Sequence, residues 1–210
     1  MPRRFLFGPV SAAFADQNLA RHRESRQCLT FGPDGNPDLA VHPGDTWAKV
    51  CTRFPAGWKP DLIALFLPYT HVPEGLWAAP IPIIGLAPDW QLTWHYLRRR
   101  ARCCDLVLTD AAGVDAFRKD GVAQARVANL HGCGDDFLAM TADDAATPAR
   151  DIDVLFVGNL NAAVQRDRLP WLQRLARLGP RWRVVVRTAV SPEAYRRLAR
   201  RAKILFSHVE

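Results

Sequence analysis

The run "DLIALFLPY", residues 61–69, constrains the fold more than any other segment of this chain. It is continuously apolar from its second residue, which is the pattern of a strand that is buried on both faces. Such strands belong to parallel sheets, whose crossover connections place helices over the sheet. The segment therefore predicts an α/β fold.

Apolar runs alternate with amphipathic segments along the first part of the chain. Ser11 is expected to cap a helix that runs through Gln27, and Asp110 to cap a second helix that stops at Gly121. Residues 33–59 are polar and turn-rich. Strand–helix alternation with short turns predicts a doubly wound parallel sheet. Further strands are predicted at 4–10, 28–33, 80–90, 104–110 and 125–132, with a helix at 90–101 between the third and fourth of them.

The pattern begins again after a stretch of small, polar residues at 139–150, which is interpreted as a linker. "DIDVLFVG", "WRVVVRT" and "KILFS" are predicted strands, and two amphipathic helices separate them. Ser191, Pro192 and Glu193 form a strong start signal for the second of these helices. The sequence thus predicts two Rossmann-like units, residues 1–138 and 151–210, of which the second is incomplete.

The net charge of +7 is placed unevenly along the chain. Residues 1–150 hold equal numbers of basic and acidic side chains, so the whole excess lies after residue 150. A basic segment indicates an anionic partner. The arginine runs at 98–102 and 196–201 are interpreted as solvated helix faces, and no RNA-binding aromatic motif is present, so nucleic acid is not the expected partner.

Several classes of protein are disfavoured by composition. No apolar run approaches the roughly 20 residues that span a bilayer, so no integral membrane segment is expected. The first residues resemble a secretory leader, but Gly8 and Pro9 interrupt their apolar run. Five cysteines without C-x-x-C spacing indicate reduced, mostly buried thiols in a cytoplasmic protein, and no metal site is expected.

In parallel sheets, ligands bind beyond the carboxyl ends of the strands. In the first unit Asp89 is a candidate general base or hydroxyl binder, and Trp90 could stack on a sugar ring. The alternatives are that Asp89 only caps the next helix, that the tryptophans lie in the core, and that the histidines are structural. The candidate residues at these strand ends are His71, Asp89, Trp90, Asp110, His131 and Gly132.

The second unit opens with "VGNLN", a glycine turn directly after a buried strand. Glycine lets the backbone approach a phosphate, asparagine amides can donate hydrogen bonds, and nearby arginines add charge. The alternative is a tight turn that requires a positive φ. No G-x-G-x-x-G or P-loop motif is present. The candidate phosphate-binding residues are Gly158, Asn159, Asn161, Arg166 and Arg187.

Longer strings carry a resemblance to a known family. "DVLFVGNLN", "QRDRLPWLQRLARLG", "WRVVVRT" and "YRRLARRAKILFS" resemble the start of the second domain of spore-maturation glycosyltransferases, which have the GT-B fold. "CDLVLTDAAGVDAFRKDGV" and "NLHGCGDDF" are similar to the end of their first domain. The resemblance covers about residues 104–206 and is diffuse over residues 1–103.

The resemblance implies transfer of a sugar from a nucleotide-sugar donor to an acceptor of unknown kind, with no cofactor beyond the donor. It implies that Gly158, Asn159 and Asn161 lie near the donor diphosphate with Arg187 assisting. Asp89, Trp90 and His131 would then face the acceptor, with Asp89 and His131 as the catalytic candidates.

In this family the third strand of the second domain continues into further donor-binding residues, whereas "KILFSHVE" ends here, so a truncated enzyme is expected. Two alternatives remain open: a non-catalytic α/β module that binds a phosphorylated or nucleotide ligand, and a protein that contacts nucleic acid through its basic last 60 residues.

Overall fold

The computed structural model describes residues 3–32, 38–67, 70–130, 149–161 and 166–207. Contacts between residues divide the chain into two compact units, Met1–Gly134 and Asp135–Glu210. Both units are built on parallel sheets, which confirms the predicted α/β class with two Rossmann-like units. Most of the predicted linker at 139–150 lies outside the described residues.

The first unit contains a seven-stranded sheet in the order β3-β2-β1-β4-β5-β6-β7, and every neighbouring pair is parallel. The chain moves outward from β1 to β3, returns to β4 beside β1, and then moves outward in the other direction. The strand order therefore reverses between β1 and β4, which is the switch point of a doubly wound sheet. The strands are β1 Phe5–Gly8, β2 Cys28–Gly32, β3 Leu39–Ala40, β4 Leu62–Phe66, β5 Ile83–Leu86, β6 Leu106–Thr109 and β7 Ala125–Val127.

Alternate residues of the strands enter two separate hydrophobic clusters, one on each face of the sheet. Ile63 and Leu65 belong to the larger cluster, whereas Ala64 between them belongs to the smaller one. This alternation follows from the two-residue period of a strand. Because both faces of β4 meet apolar side chains, the segment 62–66 is apolar without interruption, as the sequence predicted.

The helices of the first unit divide between these faces. Ala15 of α1 lies in the smaller cluster, and Leu97 of α5 and Phe117 of α6 lie in the larger one. Ser11 and Asp110 cap α1 and α6 through hydrogen bonds from Phe14 N and Gly113 N, as predicted. The helices are α1 Ala12–Asn18, α2 Ala20–Glu24, α3 Trp47–Cys51, α4 Glu74–Trp77, α5 Trp94–Arg100 and α6 Ala111–Lys119.

Two helices differ from their predictions. The continuous helix expected through Gln27 is interrupted at Leu19, whose φ of −126° separates α1 from α2. The helix expected at 90–101 begins as a 3-10 helix, Trp90–Thr93, before α5 continues it. The segment 33–59 was predicted to be polar and turn-rich, and it holds the two-residue β3 and the short α3.

The second unit contains a three-stranded parallel sheet in the order β10-β8-β9. Its apolar cluster consists of Ile152, Leu155 and Ala202, with Leu198 among the side chains packed against it. Ser191 caps the second helix and Pro192 stands in its first turn, as predicted. The elements are β8 Ile152–Val157, α7 Arg168–Ala176, β9 Val184–Arg187, α8 Pro192–Arg201 and β10 Ala202–Leu205.

Candidate functional site

Asp89 follows β5 at the carboxyl edge of the first sheet. Its backbone lies in the left-handed region, with φ 48° and ψ 31°, and its side chain makes no capping hydrogen bond to the 3-10 helix that it precedes. Asp89 thus occupies the N-cap position of this 3-10 helix without a capping hydrogen bond from its side chain. Aspartate tolerates this conformation better than most residues, and such conformations concentrate at functional sites.

Trp90 and Asp110 contact each other across the ends of β5 and β6. The Trp90 indole Nε1 donates to Asp110 Oδ1 at 3.2 Å, and the same oxygen accepts from Gly113 N at 2.6 Å. A Cβ on Gly113 would lie 2.3 Å from Thr109 Oγ1 and 2.8 Å from Trp90 Nε1, so only glycine allows this approach. Trp90 also packs edge-on against Trp94, which places both rings against the core.

His71 is exposed and lines a pocket of about 250 Å³ beyond the end of β4. Its ring centroid lies 6.4 Å from that of Tyr96. Asp89, Trp90 and Asp110 do not line this pocket, so the structure does not gather the first-unit candidates into one cavity. His131 and Gly132 lie outside the described residues.

Four of the five predicted residues of the second unit, Gly158, Asn159, Asn161 and Arg187, lie together at the carboxyl end of β8. Val157 and Arg187 are register partners, and Gly158 N donates to Arg187 O at 3.1 Å. Asn161 N donates to Asn159 Oδ1 at 2.9 Å, which closes the turn through a side chain. Gly158 does not have the positive φ that the alternative required. Instead, a Cβ there would lie 2.8 Å from the edge of the Phe156 ring.

Arg168 belongs to this turn and was not predicted. Its Nη1 donates to Asn159 O at 2.8 Å, and its guanidinium carbon lies 5.5 Å from the centroid of the Phe156 ring. Arg166, the arginine chosen from the sequence, is exposed and precedes α7. The sequence could not distinguish Arg168 from Arg166, because that choice depends on where α7 begins. A helix that begins at residue 168 directs its first side chain back toward the end of β8.

The electrostatic character of this turn is cationic. The guanidinium of Arg168, the first residue of α7, reaches this turn, and Arg187 contacts it through its backbone carbonyl while its Nη1 donates to Val186 O at 3.0 Å. Gly158 N and Asn161 N are already used within the protein, so the arginines, which offer planar forks of donors, would supply the contacts to a ligand. Together these groups suit an anionic oxygen ligand such as a phosphate.

Four arginines of the two runs that could suggest nucleic-acid binding form ion pairs within the protein. Arg98 and Arg102 pair with Asp120, and Arg100 pairs with Glu74. Arg201 in the second run pairs with Asp151 at 2.5 Å. These ion pairs join the helices that carry the arginines to neighbouring segments of the chain.

The four cysteines in the described part of the chain are free thiols, two buried (Cys28 and Cys104) and two exposed (Cys51 and Cys103). The expectation of mostly buried thiols thus holds for half of them. Burial raises the pKa of both Cys28 and Cys104 to about 12, which keeps these thiols protonated and poorly nucleophilic. The described residues contain no group of three or more His, Cys, Asp or Glu side chains that could hold a metal ion.

Comparison with protein-family models and with curated proteins found no match to this chain. Within the described ranges, none of the helices is both long and apolar enough to cross a bilayer. Function must therefore be argued from the two sheet edges themselves.

Proposed function

We propose that the chain binds a nucleotide-sugar through the turn after β8 and transfers the sugar to a hydroxyl-bearing acceptor. The observation that supports this proposal is the hydrogen bond from the Arg168 guanidinium to the Gly158–Asn161 turn, beside which the backbone of Arg187 lies. The family resemblance of residues 104–206 points to the same chemistry.

The mechanism follows from where charge develops. When the sugar leaves its donor, the departing diphosphate gains negative charge on its oxygens. Fixed guanidinium groups stabilise that charge, and they do so without reorganising during the reaction. Aligning donor and acceptor supplies the remaining rate enhancement through proximity.

A non-catalytic binding module is the second candidate, and one observation favours it. Trp90 and Asp110, two of the polar candidates of the first unit, are hydrogen-bonded to each other and partly packed against the core. These contacts stabilise the fold at the ends of β5 and β6 and do not orient a substrate. In this case the turn after β8 would bind a nucleotide and no sugar would be transferred.

The test is thermal protection by nucleoside diphosphates, followed by a transfer assay with nucleotide-sugars. Ligand that binds only the folded state raises the unfolding midpoint. We expect Arg168→Ala and Arg187→Ala each to weaken diphosphate binding about ten- to a hundredfold, because each removes charge-assisted hydrogen bonds.

The matched control is Arg174→Ala, which removes an arginine that stacks on Trp171 in the same helix as Arg168. It should leave the affinity unchanged. Equal losses in all three variants would mean that only general charge matters and would contradict the site. Diphosphate binding without sugar transfer would favour the second candidate.

A further inference from the structure

The segment 168–183 exposes large apolar side chains next to arginines. It covers α7 and the turn that leads into β9. Three of its apolar side chains stand in solvent: Trp171 is 41% exposed, Leu178 42% and Trp182 53%. Folded proteins rarely leave large apolar side chains grouped on the surface unless the group contacts a partner. The segment is therefore a candidate interaction surface.

The three exposed side chains form one stripe along the helix. Trp171 and Leu178 are seven residues apart, a spacing that places them on the same helix face. The chain continues to turn beyond the end of α7, because Trp182 N donates to Leu178 O at 3.0 Å. This bond spans four residues, as helical bonds do, and sets Trp182 one turn beyond Leu178. Leu172 is buried, so α7 uses a different face to pack on its own unit.

The charge of this segment is wholly positive. Residues 168–183 contain five arginines and neither aspartate nor glutamate. Arg168 and Arg183 are used within the protein, at the turn after β8 and at Asp151. Arg177 and Arg181 are exposed, and neither forms an ion pair within the part of the chain that the structure describes. Their charges adjoin the apolar stripe, so a partner that covers the stripe has to be anionic as well.

One arginine lies directly against the stripe. The guanidinium carbon of Arg174 is 4.6 Å from the ring centroid of Trp171. Indole rings prefer the level of lipid headgroups, and guanidinium groups match the geometry of phosphate oxygens. The stacked pair thus places both groups at one level, which suits the boundary between lipid phosphates and acyl chains.

A bilayer that contains anionic lipids fits both halves of this chemistry. Its phosphates match the arginines, and the region just below them accepts tryptophan and leucine side chains. A nucleic acid would match the charge alone, because Leu178 offers no ring on which a base could stack. A second copy of the chain would bring like charges together, which is unfavourable.

We propose that the stripe of Trp171, Leu178 and Trp182, with Arg177 and Arg181 beside it, docks the chain on the surface of an anionic bilayer. The contact is peripheral, with the two indole rings at the level of the headgroups. Docking requires neither a nucleotide nor sugar transfer. The stripe runs from α7 toward β9, away from the turn after β8.

The experiment sediments the full chain with vesicles of phosphatidylcholine and with vesicles of an equal mixture of phosphatidylcholine and phosphatidylglycerol. We expect binding to the mixed vesicles and little to the neutral ones. Trp171→Ala and Trp182→Ala should each weaken binding about tenfold, because each removes a buried ring from the contact. Arg177→Gln and Arg181→Gln should each weaken it about fivefold.

The matched controls change exposed side chains elsewhere in the second unit. Leu205→Ala removes an apolar side chain from β10, and Arg197→Gln removes a charge from α8. Both should leave vesicle binding unchanged, and the unfolding midpoint of every variant checks that it folds. Equal losses in Arg181→Gln and Arg197→Gln would reduce the effect to general charge and overturn the proposal.

Three further results would also overturn it. One is equal binding to neutral and anionic vesicles, or none to either. Another is a loss in the arginine variants without one in the tryptophan variants, since the rings would then not enter the bilayer. The third is a dimer, or a complex with a single-stranded oligonucleotide, that Trp182→Ala weakens while vesicles are not bound.

The turn after β8 is tested separately. Diphosphate protection of Trp182→Ala, measured without vesicles, should equal that of the wild type. Retained protection with lost vesicle binding would therefore leave the nucleotide site standing, and vesicle binding without protection would leave the docking surface standing.

Discussion

Both units are built on a parallel sheet, but they bury very different amounts of apolar surface. In the first, the central strand β4 sends Leu65 and Ile63 into one cluster and Ala64 into another, so that apolar side chains cover both faces. In the second, the central strand β8 contributes Ile152 and Leu155 to a cluster whose third buried member among the described residues is Ala202. Large apolar side chains remain exposed in the second unit, among them Trp182, Ile204 and Leu205, each more than half exposed.

Ion pairs compensate for part of this difference. Asp151 accepts hydrogen bonds from Arg201 and pairs with Arg183, and Asp153 pairs with Lys203 at 2.6 Å. These bonds join β8 to the segments on both sides of it. Exposed ion pairs stabilise only weakly and are screened by salt. The second unit therefore presents its cationic turn on a less stable scaffold than the first unit offers to the His71 pocket.

The largest effect that tests this comparison comes from truncating one leucine in each central strand. Leu65 and Leu155 are both essentially fully buried. We expect Leu65→Ala to cost about 4–5 kcal/mol and Leu155→Ala about 2–3 kcal/mol, since a site with fewer surrounding side chains collapses more easily around the cavity. Urea unfolding, read by amide hydrogen exchange in β4 and in β8, measures each loss.

The two substitutions are matched in residue type and in burial. Differences in strand propensity and in the free energy of transferring a leucine side chain from water therefore largely cancel between them. Equal losses would mean that the second unit packs Leu155 as tightly as the first packs Leu65. The difference in buried apolar surface would then not translate into a difference in stability.

A smaller effect concerns acid stability of the second unit. Hydrogen bonding to Arg201, with the charge of Arg183, lowers the pKa of Asp151 to about 2. An unfolded aspartate has a pKa near 4, so the ionised form stabilises the folded state above about pH 4, and this stabilisation is lost as the pH falls toward 2. Asp151→Asn should lower the unfolding midpoint of the second unit at pH 7 and flatten its decline between pH 4 and 2.

Asp115→Asn is the control for this experiment, because Asp115 is an exposed carboxylate of α6 in the first unit. The effect of Asp151→Asn should also shrink in high salt, since the side chains of Arg183 and Arg201 are 56% and 39% exposed. An unchanged acid profile in Asp151→Asn would assign the acid sensitivity to other groups.

Much of the fold could be predicted because its signals are local. The apolar run that became β4, and the caps Ser11, Asp110 and Ser191, depend on residues a few positions apart. The break at Leu19 and the 3-10 start at Trp90 depend on backbone angles that tertiary packing sets. Periodicity does not carry that information.

The candidate sites divide in the same way. The rule that ligands bind at carboxyl ends of parallel strands predicted the turn at Gly158 and its neighbour Arg187, and these residues do meet. Arg168 was missed because the start of α7 decides which arginine faces the strand end.

The smallest effect compares two helix caps of the same kind. Ser11 Oγ accepts from Phe14 N at 3.3 Å in the first unit, and Ser191 Oγ accepts from Ala194 N at 3.2 Å in the second. Replacing either serine by alanine removes about 1 kcal/mol of capping energy. Amide exchange within α1 and α8 measures how far each helix loosens.

The two responses should differ because burial holds the two helices differently. Ala15 of α1 is 1% exposed and anchors that helix in the smaller cluster, whereas Leu198 of α8 is only partly buried. We expect about fivefold faster exchange in α8 of Ser191→Ala, the full effect of 1 kcal/mol, and a smaller change in α1 of Ser11→Ala. Equal acceleration would show that α1 is held by its cap as much as by its packing, and would remove burial as the reason why the two units differ.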